Sequence, residues 1–129
     1  MKIIIETIPH NEHRYETVGD YWIDENGDMQ VRVSQMGNEM YEAMVMIHEL
    51  TEFFLIRHKG TPTEEEVMAF DKAFEVKREL GEVGEMDEPG FAEDSPYRQE
   101  HTIATSVEMA ICAIAGLSWS EYDKTVMSL

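Results

Sequence analysis

The segment from Asn38 to Gly60 constrains the fold of this chain more than any other, because it is long and mostly apolar. Asn38 is a favourable N-cap, and Gly60 is a typical residue at which a helix ends. Apolar side chains would lie on most sides of such a helix, which is typical of a helix at the centre of a domain. These side chains are Tyr41, Met44, Val45, Ile47, Leu50, Phe53, Phe54, Leu55 and Ile56. We therefore expect a buried helix over residues 38–59, in which Leu50→Asp or Phe54→Asp unfolds the domain.

The first third of the chain predicts a small sheet. Residues 2–8 are rich in isoleucine, a β-branched residue that favours strands, and Pro9 follows them. Asn26-Gly27 separates two further strand-like runs, at 21–23 and 30–34. This dipeptide is a strong hairpin signal because both residues tolerate positive φ. We expect an antiparallel sheet of about three strands within residues 1–36.

The remainder, residues 37–129, predicts helices. A second helix over 63–80 begins with Thr63 and three glutamates, a capping-box pattern, and a third is expected over 96–115. Ser118 is a suitable N-cap for a short last helix. An acidic loop over 81–95 joins the second and third helices. The length of 129 residues fits one domain, 1–129, of the α+β class, with three main helices and a short C-terminal one.

The charge of the chain excludes several partners. The formal net charge is −17, from 27 acidic and 10 basic residues. Nucleic acid and anionic membrane surfaces are bound mainly through Lys and Arg, so both are disfavoured. A metal ion, a cationic substrate or a basic protein partner is compatible with this charge. With one cysteine, no apolar run long enough to span a bilayer and an early charge in the N-terminal segment, we expect a cytoplasmic protein.

The run His48-Glu49-Leu50-Thr51-Glu52 places three chemically active side chains on the first helix. His48 and Glu52 are four residues apart and therefore share one face, whereas Glu49 points about 100° away. A carboxylate buried without a partner costs several kcal/mol. The glutamates on this helix consequently require partners, and a metal ion is one candidate.

A second pair of candidate ligands lies on the third helix. His101 and Glu108 are seven residues apart and share a face with the small residues Ala104 and Cys112, which allow another helix to approach closely. We expect this face to meet His48 and Glu52. Two imidazoles and two carboxylates suit zinc, manganese or iron. Direct pairing of His48 with Glu108 and of His101 with Glu52 would also satisfy all four groups without an ion.

Two carboxylates on the second helix repeat the spacing of four residues. Asp71 and Glu75 could supply a further ligand to the same site. The simpler expectation is that they lie on a solvated helix face, with Arg78 as a partner.

The pentapeptide resembles the HExxH motif of the zincin metalloproteases, with Glu52 in place of the second histidine. The resemblance implies zinc as cofactor, His48 and Glu52 as ligands, Glu49 as general base and metal-dependent hydrolysis as the activity. The chain is also similar to small phage and prophage proteins with the same HELxE helix and a later helix containing Glu-His, here Glu100-His101. That likeness implies a host-cytoplasm location but names no activity. The negative charge and the acidic loop over 81–95 leave an alternative function open, that of a non-catalytic acidic inhibitor that mimics DNA or binds a basic protein.

Overall fold

The computed structural model describes residues 1–129 and begins with a three-stranded sheet. The strands are β1 (Ile3–Ile8), β2 (Gly19–Ile23) and β3 (Met29–Ser34), in the spatial order β1-β3-β2. β2 and β3 form the expected antiparallel hairpin, whose turn contains Gly27 at a φ of 78°.

The pairing of β1 differs from the predicted antiparallel sheet. β1 lies on the far side of β3 and runs parallel to it, with Ile5 opposite Val31. The sheet is therefore mixed. Residue patterns indicate which segments become strands, but the choice of neighbour depends on how residues 9–18 route the chain across the sheet.

Four helices follow, and the α+β class with a short C-terminal helix is confirmed. They are α1 (Glu39–Lys59), α2 (Glu64–Glu79), α3 (Arg98–Ile114) and α4 (Trp119–Met127). The side chain of Asn38 accepts hydrogen bonds from two backbone amides of α1, and Thr63 and Ser118 each accept one from α2 and α4. The capping residues recognised in the sequence therefore begin these three helices. No helix is both long enough and apolar enough to cross a bilayer.

α1 lies between the sheet and α3, and the core surrounds it. Met29, Val31, Val33 and Met44 are completely buried where α1 meets the sheet. The expectation that Phe54 is buried was wrong, since this side chain is 41% exposed. The sheet and α3 cover two sides of α1, and a third side, which includes Phe54, is exposed to solvent. Because apolar residues lie on most sides of this helix, their pattern does not indicate which side is exposed.

The acidic loop over 81–95 is attached to α2 by one arginine. The guanidinium of Arg78 donates to the carbonyl oxygens of Gly84, Glu85 and Asp87 at 2.6, 2.8 and 2.6 Å. Three hydrogen bonds from a charged donor hold the loop in a defined path over the end of α3.

Candidate metal centre

Three buried side chains from α1 and α3 converge on one point. His48 Nε2 lies 3.1 Å from Glu52 Oε2 and 3.1 Å from His101 Nδ1, and the latter two atoms are 3.0 Å apart. Only 6, 4 and 8% of these three residues is exposed. The ligand atoms therefore form a nearly equilateral triangle, and these residues are a group that could hold a metal ion.

The size of this triangle suits a small divalent ion. Ligand atoms about 2.0–2.1 Å from a tetrahedral zinc are roughly 3.3 Å apart, so the observed spacing needs only an expansion of a few tenths of an ångström. Neutral imidazole and carboxylate are also ligand types that zinc accepts.

Hydrogen bonding alone does not satisfy the triangle. Three contacts of 3.0–3.1 Å join two imidazole nitrogens and one carboxylate oxygen. If both nitrogens donate to Glu52, two N–H groups face each other. If one nitrogen donates to the other, the acceptor nitrogen has no proton for Glu52. An ion between the three atoms would satisfy all of them at once.

Glu108 lies behind His48 rather than beside the other ligands. Its Oε1 atom is hydrogen-bonded to His48 Nδ1, on the opposite side of the imidazole ring from Glu52 and His101, and Tyr122 donates its hydroxyl to Glu108 Oε2. A carboxylate that accepts from Nδ1–H leaves the lone pair of Nε2 directed into the triangle, as in the carboxylate–histidine–metal arrangement.

Glu52 is held from its other side by a tyrosine. The Tyr21 hydroxyl donates to Glu52 Oε1 at 3.0 Å, which leaves Oε2 facing the histidines. Burial alone would raise the pKa of Glu52, but hydrogen bonds from His101 and His48 outweigh it and lower this pKa to about 2. Glu52 is therefore an anion across the whole physiological pH range.

Without an ion, the histidines act as the charge partners of the carboxylates. Burial alone would lower the pKa of His101, but the hydrogen bond with Glu52 and the nearby carboxylate of Glu88 raise it to about 9. The pKa of His48 is also raised, because its bonds to Glu108 and Glu52 outweigh burial. The two direct pairings expected from the sequence, His48–Glu108 and His101–Glu52, are thus both present.

Glu49 lines a cavity of about 550 Å³ that also adjoins the three candidate ligands. Its carboxylate packs on the backbone of Gly19 in β2, where a Cβ atom would lie 2.5 Å from Glu49 Oε1. It makes no hydrogen bond within the protein. Burial and the charge of Glu52 raise the pKa of Glu49 to about 8, so this group can exchange a proton near neutral pH.

Asp71 lies in the same cavity, contrary to the expectation of a solvated helix face. Tyr15 and Tyr97 both donate to its carboxylate, Tyr15 at 3.2 Å. Nothing in the local sequence indicates this, because the tyrosines come from other parts of the chain. Glu75 does pair with Arg78 as expected, at 3.0 and 3.2 Å.

The acidic loop closes one side of the centre. Gly90 packs so closely on the His101 ring that any side chain there would collide with it, and the ring of Phe91 meets His101 edge-on at 4.6 Å. His58, the remaining histidine of α1, is exposed near the end of that helix.

Comparison with protein-family models, with curated proteins and with solved structures finds no match.

Proposed function

We propose that this protein binds one divalent transition-metal ion, zinc being the best candidate, and catalyses a metal-dependent hydrolysis in the adjoining cavity. His48, Glu52 and His101 are the proposed ligands. The observation that carries the proposal is the triangle of their ligand atoms. The hydrogen bond that His48 Nδ1 donates to Glu108 directs the Nε2 lone pair of His48 into this triangle.

The number of ligands favours a catalytic over a purely structural ion. Structural zinc sites usually have four protein ligands, whereas catalytic sites have three and leave a position for water or substrate. Two histidines and one glutamate is a ligand set of the catalytic type. The cavity beside the triangle provides the space that an open position requires.

The residues around the ion have separable roles in this proposal. A divalent ion supplies Lewis-acid chemistry to a carbonyl or a water molecule. Glu49, with no hydrogen-bond partner, is the candidate base that takes a proton from the attacking water and returns it to the leaving group. Tyr21 orients Glu52, and Glu108 orients His48.

The first test is zinc binding to protein freed of metal with a chelator. We expect one zinc per chain by calorimetry and a higher melting temperature in its presence. His48→Ala and His101→Ala should each weaken zinc binding at least 100-fold, whereas His58→Ala, on the exposed part of the same helix, should leave it unchanged. Equal affinities of the His48→Ala and His58→Ala proteins would refute the site.

The second test separates binding from chemistry. Glu49→Gln should bind zinc as the wild type does and lose hydrolytic turnover by at least 100-fold, because the amide cannot accept a proton. If zinc neither binds to the wild-type chain nor raises its melting temperature, then the side chains at this site only form a hydrogen-bond network that stabilises the fold. These side chains are His48, Glu52, His101 and Glu108. The charge of −17 would then favour the alternative, an acidic protein that binds a basic partner.

A further inference from the structure

We propose that β1 is the contact strand of a symmetric dimer, in which it pairs antiparallel with β1 of a second copy of this chain. Ile4 of one copy faces Ile4 of the other at the twofold axis. The two three-stranded sheets then form one continuous sheet. This inference goes beyond the proposed function and does not depend on it, because no residue of β1 lines the cavity beside the metal ligands.

β1 lies at the edge of the sheet, and its side chains are poorly covered. It pairs with β3 on one side and with no strand on the other. Ile3, Ile4 and Ile5 are 45, 37 and 38% exposed, whereas Met29 and Val31, the partners of Ile3 and Ile5 in β3, are completely buried. Exposed β-branched residues at a free sheet edge form a template on which another strand can pair.

The free edge of β1 presents the backbone groups of Ile3 and Ile5. The carbonyl oxygens of Lys2 and Ile8 accept from backbone amides at, or just beyond, the two ends of β3. Backbone groups of successive strand residues point to alternate sides, so those of Ile3 and Ile5 point away from β3. In an antiparallel pair about Ile4, each Ile3 lies opposite Ile5 of the other copy, and each such pair exchanges two N–H···O bonds.

The charges on and beside β1 favour a second copy as the partner. Lys2 and Glu6 are both exposed, and neither side chain forms an ion pair within its own chain. In the pairing about Ile4, Lys2 of each copy lies opposite Glu6 of the other. Opposite charges at directly opposed positions attract, and like charges there repel. The strand is therefore complementary to itself, as a twofold-symmetric interface requires.

The next register along the strand lacks this complementarity. A twofold axis at Ile5 would also bring outward-facing backbone groups together. However, it would place Lys2 opposite Ile8 and Ile4 opposite Glu6, so each charge would face an apolar side chain. Only the register about Ile4 gives each of these charges an opposite charge across the interface.

Sedimentation equilibrium between about 1 and 500 µM protein measures the association. We expect the wild type to reach twice the mass of one chain, with or without added zinc. Lys2→Glu should weaken the dimer at least tenfold, because two glutamates then face each other at both ends of the pairing. Glu6→Lys should weaken it as much, although it reduces the net negative charge, which by itself would favour association. A wild-type chain that stays monomeric would overturn the inference and leave this edge to a different protein.

An equimolar mixture of Lys2→Glu and Glu6→Lys tests the pairing most directly. Each position 2 then faces a position 6 of opposite charge, so the two variants should form a heterodimer about as stable as the wild-type dimer. Lys77→Glu and Glu65→Lys are the matched controls, because they change the charge equally at exposed positions of α2. Neither should alter the dissociation constant more than threefold. Absence of the heterodimer, or equal effects of Glu6→Lys and Glu65→Lys, would overturn the inference.

Disulfide trapping tests the register without changing a charge. Directly opposed residues that share no backbone hydrogen bond have Cα atoms about 4.5 Å apart, which a disulfide can span. Ile4→Cys should therefore form a cross-linked dimer in a glutathione buffer. Ile5→Cys should not, because the two Ile5 residues are diagonal neighbours and lie too far apart. The native Cys112 is buried. Cross-linking of Ile5→Cys alone, or of neither variant, would overturn the proposed pairing.

Discussion

At the scale of single residues, the contacts behind the proposed ligands are expected to govern how well the triangle holds an ion. His48 is oriented by Glu108, which in turn accepts from Tyr122. We expect Glu108→Gln and Tyr122→Phe to weaken zinc binding about 10–100-fold, the usual effect of removing a partner of a metal-ligating histidine. Tyr41→Phe is the control for Tyr122→Phe, because the two rings are in contact at 5.2 Å and Tyr41 makes no hydrogen bond through its hydroxyl. Unchanged affinity in Glu108→Gln would contradict this role.

Asp71 gives a prediction about pH. Burial raises its pKa to about 7, from an ordinary value of 3.8. Between about pH 4 and 7 the Asp71 carboxyl is therefore protonated in the folded chain and ionised in the unfolded chain. The free energy of unfolding consequently falls as the pH rises through this range. The amide of Asp71→Asn is neutral at every pH, so this variant does not lose unfolding free energy in this way. Its melting temperature minus that of the wild type, measured with chelator, should increase from pH 4.5 to 7 and level off above about pH 8.

The matched control for Asp71 is Glu65→Gln, because Glu65 is exposed on the same helix. The melting temperature of Glu65→Gln minus that of the wild type should not increase from pH 4.5 to 7. If the melting-temperature difference between Asp71→Asn and the wild type were also independent of pH, the Asp71 carboxylate would be solvated rather than held between Tyr15 and Tyr97.

At the scale of elements, α1 has two buried sides and one exposed side. The adjacent residues Phe53 and Phe54 lie on a buried and on the exposed side, respectively. Phe53 is 4% exposed and meets the Tyr21 ring at 5.4 Å, whereas Phe54 is 41% exposed. Phe53→Asp should cost several kcal/mol of unfolding free energy and leave little folded protein, because it buries an unpaired charge. Phe54→Asp should change that free energy by about 1 kcal/mol or less. Urea unfolding of both variants measures this, and equal destabilisation would contradict the assigned orientation of α1.

At the scale of the whole molecule, the charge of −17 makes the folded state repel itself. Sodium chloride should raise the melting temperature at pH 7.5, because salt screens this repulsion. The control is the same titration near pH 4.4, close to the isoelectric point, where the net charge and hence the salt effect should be small. No response to salt at pH 7.5 would indicate that the unpaired carboxylates lie too far apart to repel one another measurably.

Local sequence determined the helices of this protein and the candidate ligands that lie on them. Asn38, Thr63 and Ser118 begin helices because a short polar side chain can accept from free backbone amides, a contact within a few residues. The shared face of His48 and Glu52 follows in the same way from helical geometry. Both properties depend on neighbours along the chain, so a pattern of residues is sufficient to predict them.

Only the tertiary structure decided what each candidate residue faces. The parallel pairing of β1, the exposure of Phe54 and the place of Asp71 between two tyrosines all depend on residues distant in the sequence. The same holds for Glu108, which bonds to one nitrogen of His48 while His101 and Glu52 meet the other. A rotation or shift of α3 against α1 would exchange such contacts without altering either helix. Which carboxylate faces the triangle therefore depends on how the helices pack, and helical periodicity does not encode that packing.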